Sequence, residues 1–208
     1  MSTTPLTTPP RTPPMSASNE ADPDQLQVAR EQGEAYHRAL NAMLEESGGV
    51  VERAGEYTVV LVQEGAEGMY GLHDGELVWH EAAEGANGHL EVAVADAADG
   101  RFVPGLEVTA TVLRGDRPLF TAHLPFLWHP FLHHYGANVR IPGEGAYTVQ
   151  VRIEPPAFMR HDPVNGKRYA EPVDVTFTDV TFRPGRKPSP EAGPRGEDAS
   201  YYAPPGER

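Results

Sequence analysis

The sequence predicts an all-β protein, an immunoglobulin-like β-sandwich that carries one N-terminal helix between disordered, proline-rich tails. Three observations lead there. Apolar residues recur at helical spacing only over about 24–47, and from Val50 onward their period becomes two. Turn pairs such as Asp74-Gly75, Asp99-Gly100, Gly115-Asp116 and Pro142-Gly143 cut that second region into short runs. Of the 21 prolines, six lie before residue 24 and six from Pro184 onward.

The tails come first. Residues 1–22 and 184–208 are rich in Pro, Ser, Thr, Gly and charge, so they bury too little apolar surface to order themselves. The segment 23–49 reads as the helix. Asp22 or Asp24 serves as its cap, and Pro23 suits a first turn. Leu26, Ala29, Gly33, Tyr36, Leu40, Met43 and Leu44 form one stripe, which Gly48 and Gly49 end. The segment 50–183 reads as the sandwich. Leu90, Val92 and Val94 alternate with polar residues, as do Leu106, Val108, Ala110 and Val112, and Tyr147, Val149, Val151 and Ile153. Val173, Val175 and Phe177 alternate too, with a phase slip before Val180 and Phe182 that predicts a bulge. Strands apolar on one face require a second sheet to cover them.

Composition removes several kinds of chemistry. The formal charge of -13 disfavours nucleic acid and anionic membrane surfaces as partners and favours cations. There is no cysteine, and no serine between Gly48 and Pro188, so serine and cysteine hydrolase chemistry is excluded from the body. No run approaches the roughly 20 apolar residues that span a bilayer. The first residues hold no apolar core of a secretory signal, which leaves the compartment open, cytoplasm included.

Histidine is plentiful. There are nine, and His123, His129, His133 and His134 fall within the twelve residues HLPFLWHPFLHH. Imidazole is the commonest protein ligand for Zn, Cu, Fe and Ni. His89 and Glu91 are two apart on a strand, so they share the face opposite Leu90 and Val92. His161 follows the Pro155-Pro156 break in a loop, the place where sandwiches carry binding residues. These residues point to metal binding rather than catalysis. A second reading is a protein-interaction module with structural histidines, in which Trp128 and Phe131 act as anchors.

Four stretches, in order, resemble the bacterial periplasmic high-affinity iron-transport-associated proteins, the family of the treponemal metal-binding lipoprotein. They are GHLEVAV (88–94), DGRFVPGLEVTATV (99–112), HYGANVRIPGEGAYTVQVRI (134–153) and EPPAFMRHD (154–162). The resemblance implies an immunoglobulin-like homodimer that binds copper or iron and works beside a ferrous permease. It implies that His89, His134 and His161 are ligands and that Glu91 is the carboxylate of the iron position. Zinc is an expected substitute. The family is periplasmic or exported. Where it has a methionine ligand, this chain has Phe126, and His129 in the same loop is the expected replacement. Such an exchange hardens the site toward Cu(II), Fe(II) or Zn(II).

Overall fold

A computed structural model describes residues 13–189. The parts of the expected tails at 1–12 and 190–208 lie outside the described residues.

The helix α1 (Pro23–Ser47) starts at Asp22, whose side chain accepts from the Gln25 backbone N–H while the Gln25 side-chain oxygen accepts from the Asp22 backbone N–H, with Pro23 in the first turn. It ends at Gly48, whose N–H donates to the Leu44 carbonyl. Eleven strands follow: β1 (Gly49–Ala54), β2 (Tyr57–Glu64), β3 (Met69–His73), β4 (Glu76–His80), β5 (Gly88–Asp96), β6 (Glu107–Arg114), β7 (Arg117–Leu124), β8 (Phe126–Leu127), β9 (His134–Val139), β10 (Gly145–Glu154) and β11 (Val173–Phe182). One sheet has the order β1-β2-β5-β9-β8 and a second β11-β10-β6-β7, while β3 and β4 form a separate hairpin. Every strand pair is antiparallel. The phase slip in β11 is a bulge: Val180 opposes Tyr147 and Phe177 opposes Val149, so β11 carries one extra residue.

The main core fills the space between the two sheets, with Val59, Leu61, Leu90, Val92, Val108, Val149, Ile153 and Phe177 all buried. The outer face of the five-stranded sheet is covered as well. Leu40, Met43 and Leu44 of α1 pack there on Val60, Val62, Ala93 and Ala95. That is why β2 and β5 are buried on both faces, whereas β10 alternates buried and exposed in the manner of a one-sided strand.

Helix docking depends on Gly33. A Cβ there would lie 1.6 Å from the Asp99 carbonyl oxygen in the β5–β6 turn. Gly33→Ala therefore forces the helix off this turn, and overpacking of this kind costs about 1–3 kcal/mol. The expected result is a lower melting temperature and a weaker hold of α1, read by thermal denaturation and by hydrogen exchange across residues 36–44.

Residues 184–189, assigned above to the C-terminal tail, belong instead to the folded body. The Ala66 amide donates to the Gly185 carbonyl (2.9 Å), the Lys187 amide to the Ala66 carbonyl (2.8 Å) and the Gly185 amide to the Asn87 carbonyl (2.7 Å). Backbone pairing and one arginine hold a stretch whose composition alone reads as unstructured.

Candidate metal centre

The outer face of the five-stranded sheet is apolar under the middle of α1 and polar beyond its C-terminal end. Strand register builds the polar part. Glu64 on β2 stands opposite His89 on β5, and His89 stands opposite Asn138 on β9. Glu91 stands opposite Gly136. His134, Gly136 and Asn138 alternate with Tyr135 and Val139, whose side chains enter the core, so the three share the face of His89 and Glu91.

Each residue of the HYGANV stretch thereby has a role. His134 faces the cleft. Tyr135 points inward, donating to the Val103 carbonyl (2.8 Å) and accepting from the Leu106 amide (3.1 Å). Gly136 leaves room, since a Cβ there would come within 2.9 Å of His89 Nε2. Asn138 bonds to the Glu67 backbone in both directions: its amide nitrogen donates to the carbonyl (2.7 Å), and its oxygen accepts from the N–H (3.1 Å).

That clamp sets the state of His89. With its orientation fixed, Asn138 turns its oxygen toward His89 Nδ1 at 3.1 Å, so Nδ1 carries the proton and Nε2 the lone pair. His134 is held alike, its Nδ1 donating to the Leu132 carbonyl at 3.0 Å. Both Nε2 atoms are buried and accept no hydrogen bond from the described residues. Each stands 3.9 Å from Glu91 Oε1, too far for a hydrogen bond. Among the described residues, His89, Glu91 and His134 form a cluster whose ligand atoms all lie within 4.8 Å of one another. Ligand atoms around one ion, each 2.0–2.2 Å from it, stand about 3.5 Å apart, so small side-chain rotations close the set. Two oriented lone pairs and a carboxylate aimed at one buried point fit a transition-metal ion, and the imidazole Nε2 atoms have no hydrogen-bond partner among the described residues.

Electrostatics agree. Burial holds the His89 imidazole down to about 4, a neighbouring Glu67 carboxylate opposing it only in part. Burial lowers His134 too. Both rings are therefore neutral and able to coordinate at ordinary pH. Glu91 is pushed up to about 7, first by burial and then by Glu64.

The other expected ligands stand apart. His129 is exposed at the cleft rim, its ring 6.2 Å from that of His134. Its Nδ1 accepts from the Phe131 (3.2 Å) and Leu132 (3.3 Å) amides, which places the ring proton on Nε2 and leaves no free lone pair. In this conformation His129 closes a loop. His161 is exposed in the loop after β10. Arg160 of that loop donates to the Arg168 carbonyl (3.1 Å), and Arg168 pairs with Asp96 (2.7 Å) at the far end of β5. Asp96 is seven residue steps along β5 from His89, about 23 Å at strand rise. Within one chain, therefore, His161 lies apart from the cluster that His89 and His134 form with Glu91.

The cleft, of about 400 Å³, is also lined by Met43, Glu46, Glu64, Glu67 and Lys187, none of them singled out from sequence. Glu64 was the most legible, since a β2–β5 pairing in register would have set it beside His89. Met43 reads as one more member of an apolar stripe, and Lys187 lies in a stretch that composition assigns to a tail.

The sandwich is shared with known structures. The as-isolated FetP of uropathogenic Escherichia coli strain F11 is similar at 25% identity with a TM-score of 0.53, covering 65% of this chain and 94% of its own. A copper-bound glutamate-to-glutamine variant of FetP aligns at 22% identity and a TM-score of 0.54, covering 67% of this chain and 92% of that one. Copper-reconstituted P19 from Campylobacter jejuni aligns at 19% and 0.53, covering 67% and 96%. No curated protein matches the chain in sequence. The family model described as Fe2+ transport protein matches residues 57–184, more than half of the chain. The span holds β2 through β11, and with them both buried imidazoles and the carboxylate between them, so the chain belongs to the Fe2+ transport protein family.

Proposed function

We propose that this chain binds one transition-metal ion between His89, Glu91 and His134 and serves metal handling in iron transport. The observation that carries the reading is the pair of buried imidazole Nε2 atoms, each oriented by a bond at Nδ1 and each aimed at Glu91. Family membership supports the link to iron transport, and the copper in related structures supports copper as an ion that such a site accepts. Two imidazoles and a carboxylate without a thiolate suit Cu(II), Fe(II) and Zn(II) better than Cu(I). A ferrous permease is the proposed partner, on the family link alone.

The proposed assembly is a homodimer. His161 is far from the cluster of its own chain, and a second copy is what would bring it there. Phe131, 56% exposed, lines the cleft, and Trp128, 70% exposed in the same loop, adds to an apolar contact surface. The same residues favour the alternative reading, an interaction module with structural histidines.

Metal titration of the stripped protein at several protein concentrations separates them. The metal reading expects one equivalent of Cu(II) or Zn(II) per chain. A site completed by a second copy also tightens as sedimentation shows dimer forming, and His161→Ala removes this concentration dependence. An interaction module binds no metal, and its melting curve ignores added ions.

A further inference from the structure

Among the described residues the cleft contains one permanent cation, and it is built in. Among the described residues that line it, Lys187 is the only lysine or arginine, against the carboxylates of Glu46, Glu64, Glu67 and Glu91. Its ammonium pairs with Glu64 and lies 3.0 Å from Glu67 Oε2, while Glu67 Oε1 is 4.0 Å from His89 Nε2. One carboxylate thus separates the lysine from the coordinating face of a ligand.

The backbone decides this placement. The amide of residue 187 donates to the Ala66 carbonyl, and the Ala66 amide donates to the Gly185 carbonyl. In such an extended stretch neighbouring side chains point to opposite sides. Arg186 points away from the cleft, donating to the carbonyls of Ala82 (2.8 Å), Ala83 (3.1 Å) and Ala86 (2.8 Å). That anchor turns Lys187 inward. Its pairing with Glu64 and Glu67 keeps it charged. Half-exposed ion pairs contribute little to stability, so a folding role does not account for the arrangement. A fixed charge beside an ion site does have a large consequence, because Coulomb energy scales with the valence of the ion.

We infer that Lys187 is a specificity-determining residue of the metal site: its ammonium offsets the carboxylates of the cleft and holds down the affinity for divalent ions relative to monovalent ones. The inference rests on the metal-binding reading above. A divalent ion feels twice the repulsion of a monovalent ion at the same point, so the two affinities respond to the loss of Lys187 by different powers.

The test is titration of the full chain with Zn(II) and with Ag(I), a redox-inert monovalent probe, in the wild type, Lys187→Met and Lys187→Arg. Lys187→Met is expected to raise Zn(II) affinity about a hundredfold where Ag(I) affinity rises about tenfold, the square relation that valence dictates. Lys187→Arg keeps the charge and should keep the wild-type ratio. The Arg186 anchor and the backbone pairing survive both changes, so melting temperatures should barely move. Glu64→Gln is the independent second variant. It removes a negative charge from the same pair and should shift the Zn(II)/Ag(I) ratio the other way. Equal gains for both ions, or no gain for either, overturn the inference, as does a ratio unmoved in Glu64→Gln. A wild type that binds neither ion is a different failure and sinks the metal reading itself.

Discussion

Replacing His134 by alanine is expected to abolish tight metal binding while leaving the fold intact. Losing a partner that only orients a ligand typically costs 10–100-fold in affinity, so losing a ligand should cost about a hundredfold or more. The metal-free fold has little to lose, because His134 Nε2 makes no hydrogen bond to the described residues. Removing a buried atom that lacks a partner offsets part of the lost packing and the lost bond from Nδ1 to Leu132. The contrast shows in melting curves. At an ion concentration about a hundred times Kd, binding adds about 2.7 kcal/mol to the wild type, which raises Tm by roughly 5–10 °C in a chain of this size. His134→Ala should melt near the metal-free wild type and gain nothing from the ion. A variant that still shows the wild-type shift would mean that the ion binds elsewhere.

The second large effect is in pH. Protonation of imidazole is the obvious limit on a histidine site, but burial holds His89 neutral down to about 4 and lowers His134 as well. The group that titrates near neutrality is Glu91, pushed up to about 7. Below that pH an entering ion must expel the carboxyl proton, so wild-type affinity should fall about fivefold from pH 7 to pH 6 and approach tenfold per unit below that. Glu91→Gln carries no such proton. Its affinity should be lower than the wild type's at pH 8 and nearly flat down to the lowered imidazole range, so the difference narrows about fivefold from pH 7 to pH 6. Calorimetric titrations at pH 8, 7 and 6 check this, and parallel curves for the two proteins would refute it. The signs for folding oppose one another. Glu91 has a raised pKa, so its contribution is complete below the unfolded value of 4.5 and is lost as pH rises through about 7. His89 has a depressed pKa, so its contribution is complete above the unfolded value of 6.5 and is lost as pH falls through about 4. Between pH 4.5 and 6.5 the two slopes cancel, and metal-free stability should vary little there from these groups.

Much of this protein is written in local pattern. The period-two runs at 90–94, 106–112 and 147–153 mark strands because one face of each has to be apolar. The spacing of His89 and Glu91 places them on one face, since side chains alternate along any strand. Asp22, Pro23 and Gly48 bound the helix by capping chemistry that depends on near neighbours alone. Tertiary structure decided the rest, because it concerns residues far apart in the chain. Alternation cannot say that the outer face of β5 is covered by α1 at Ala93 and Ala95, or that His89 and Glu91 on that same face are buried deeply enough to move their pKa values. Sequence places His129, His134 and His161 equally as candidates. Only the β5–β9 pairing sets His134 beside Glu91, while local amides turn His129 into an acceptor and the Asp96–Arg168 pair holds the His161 loop at the other end of the strand. Lys187 enters the cleft only because distant carbonyls grip Arg186 next to it. Local pattern determines which elements form and which way each side chain faces, and long-range pairing determines which of those faces meet.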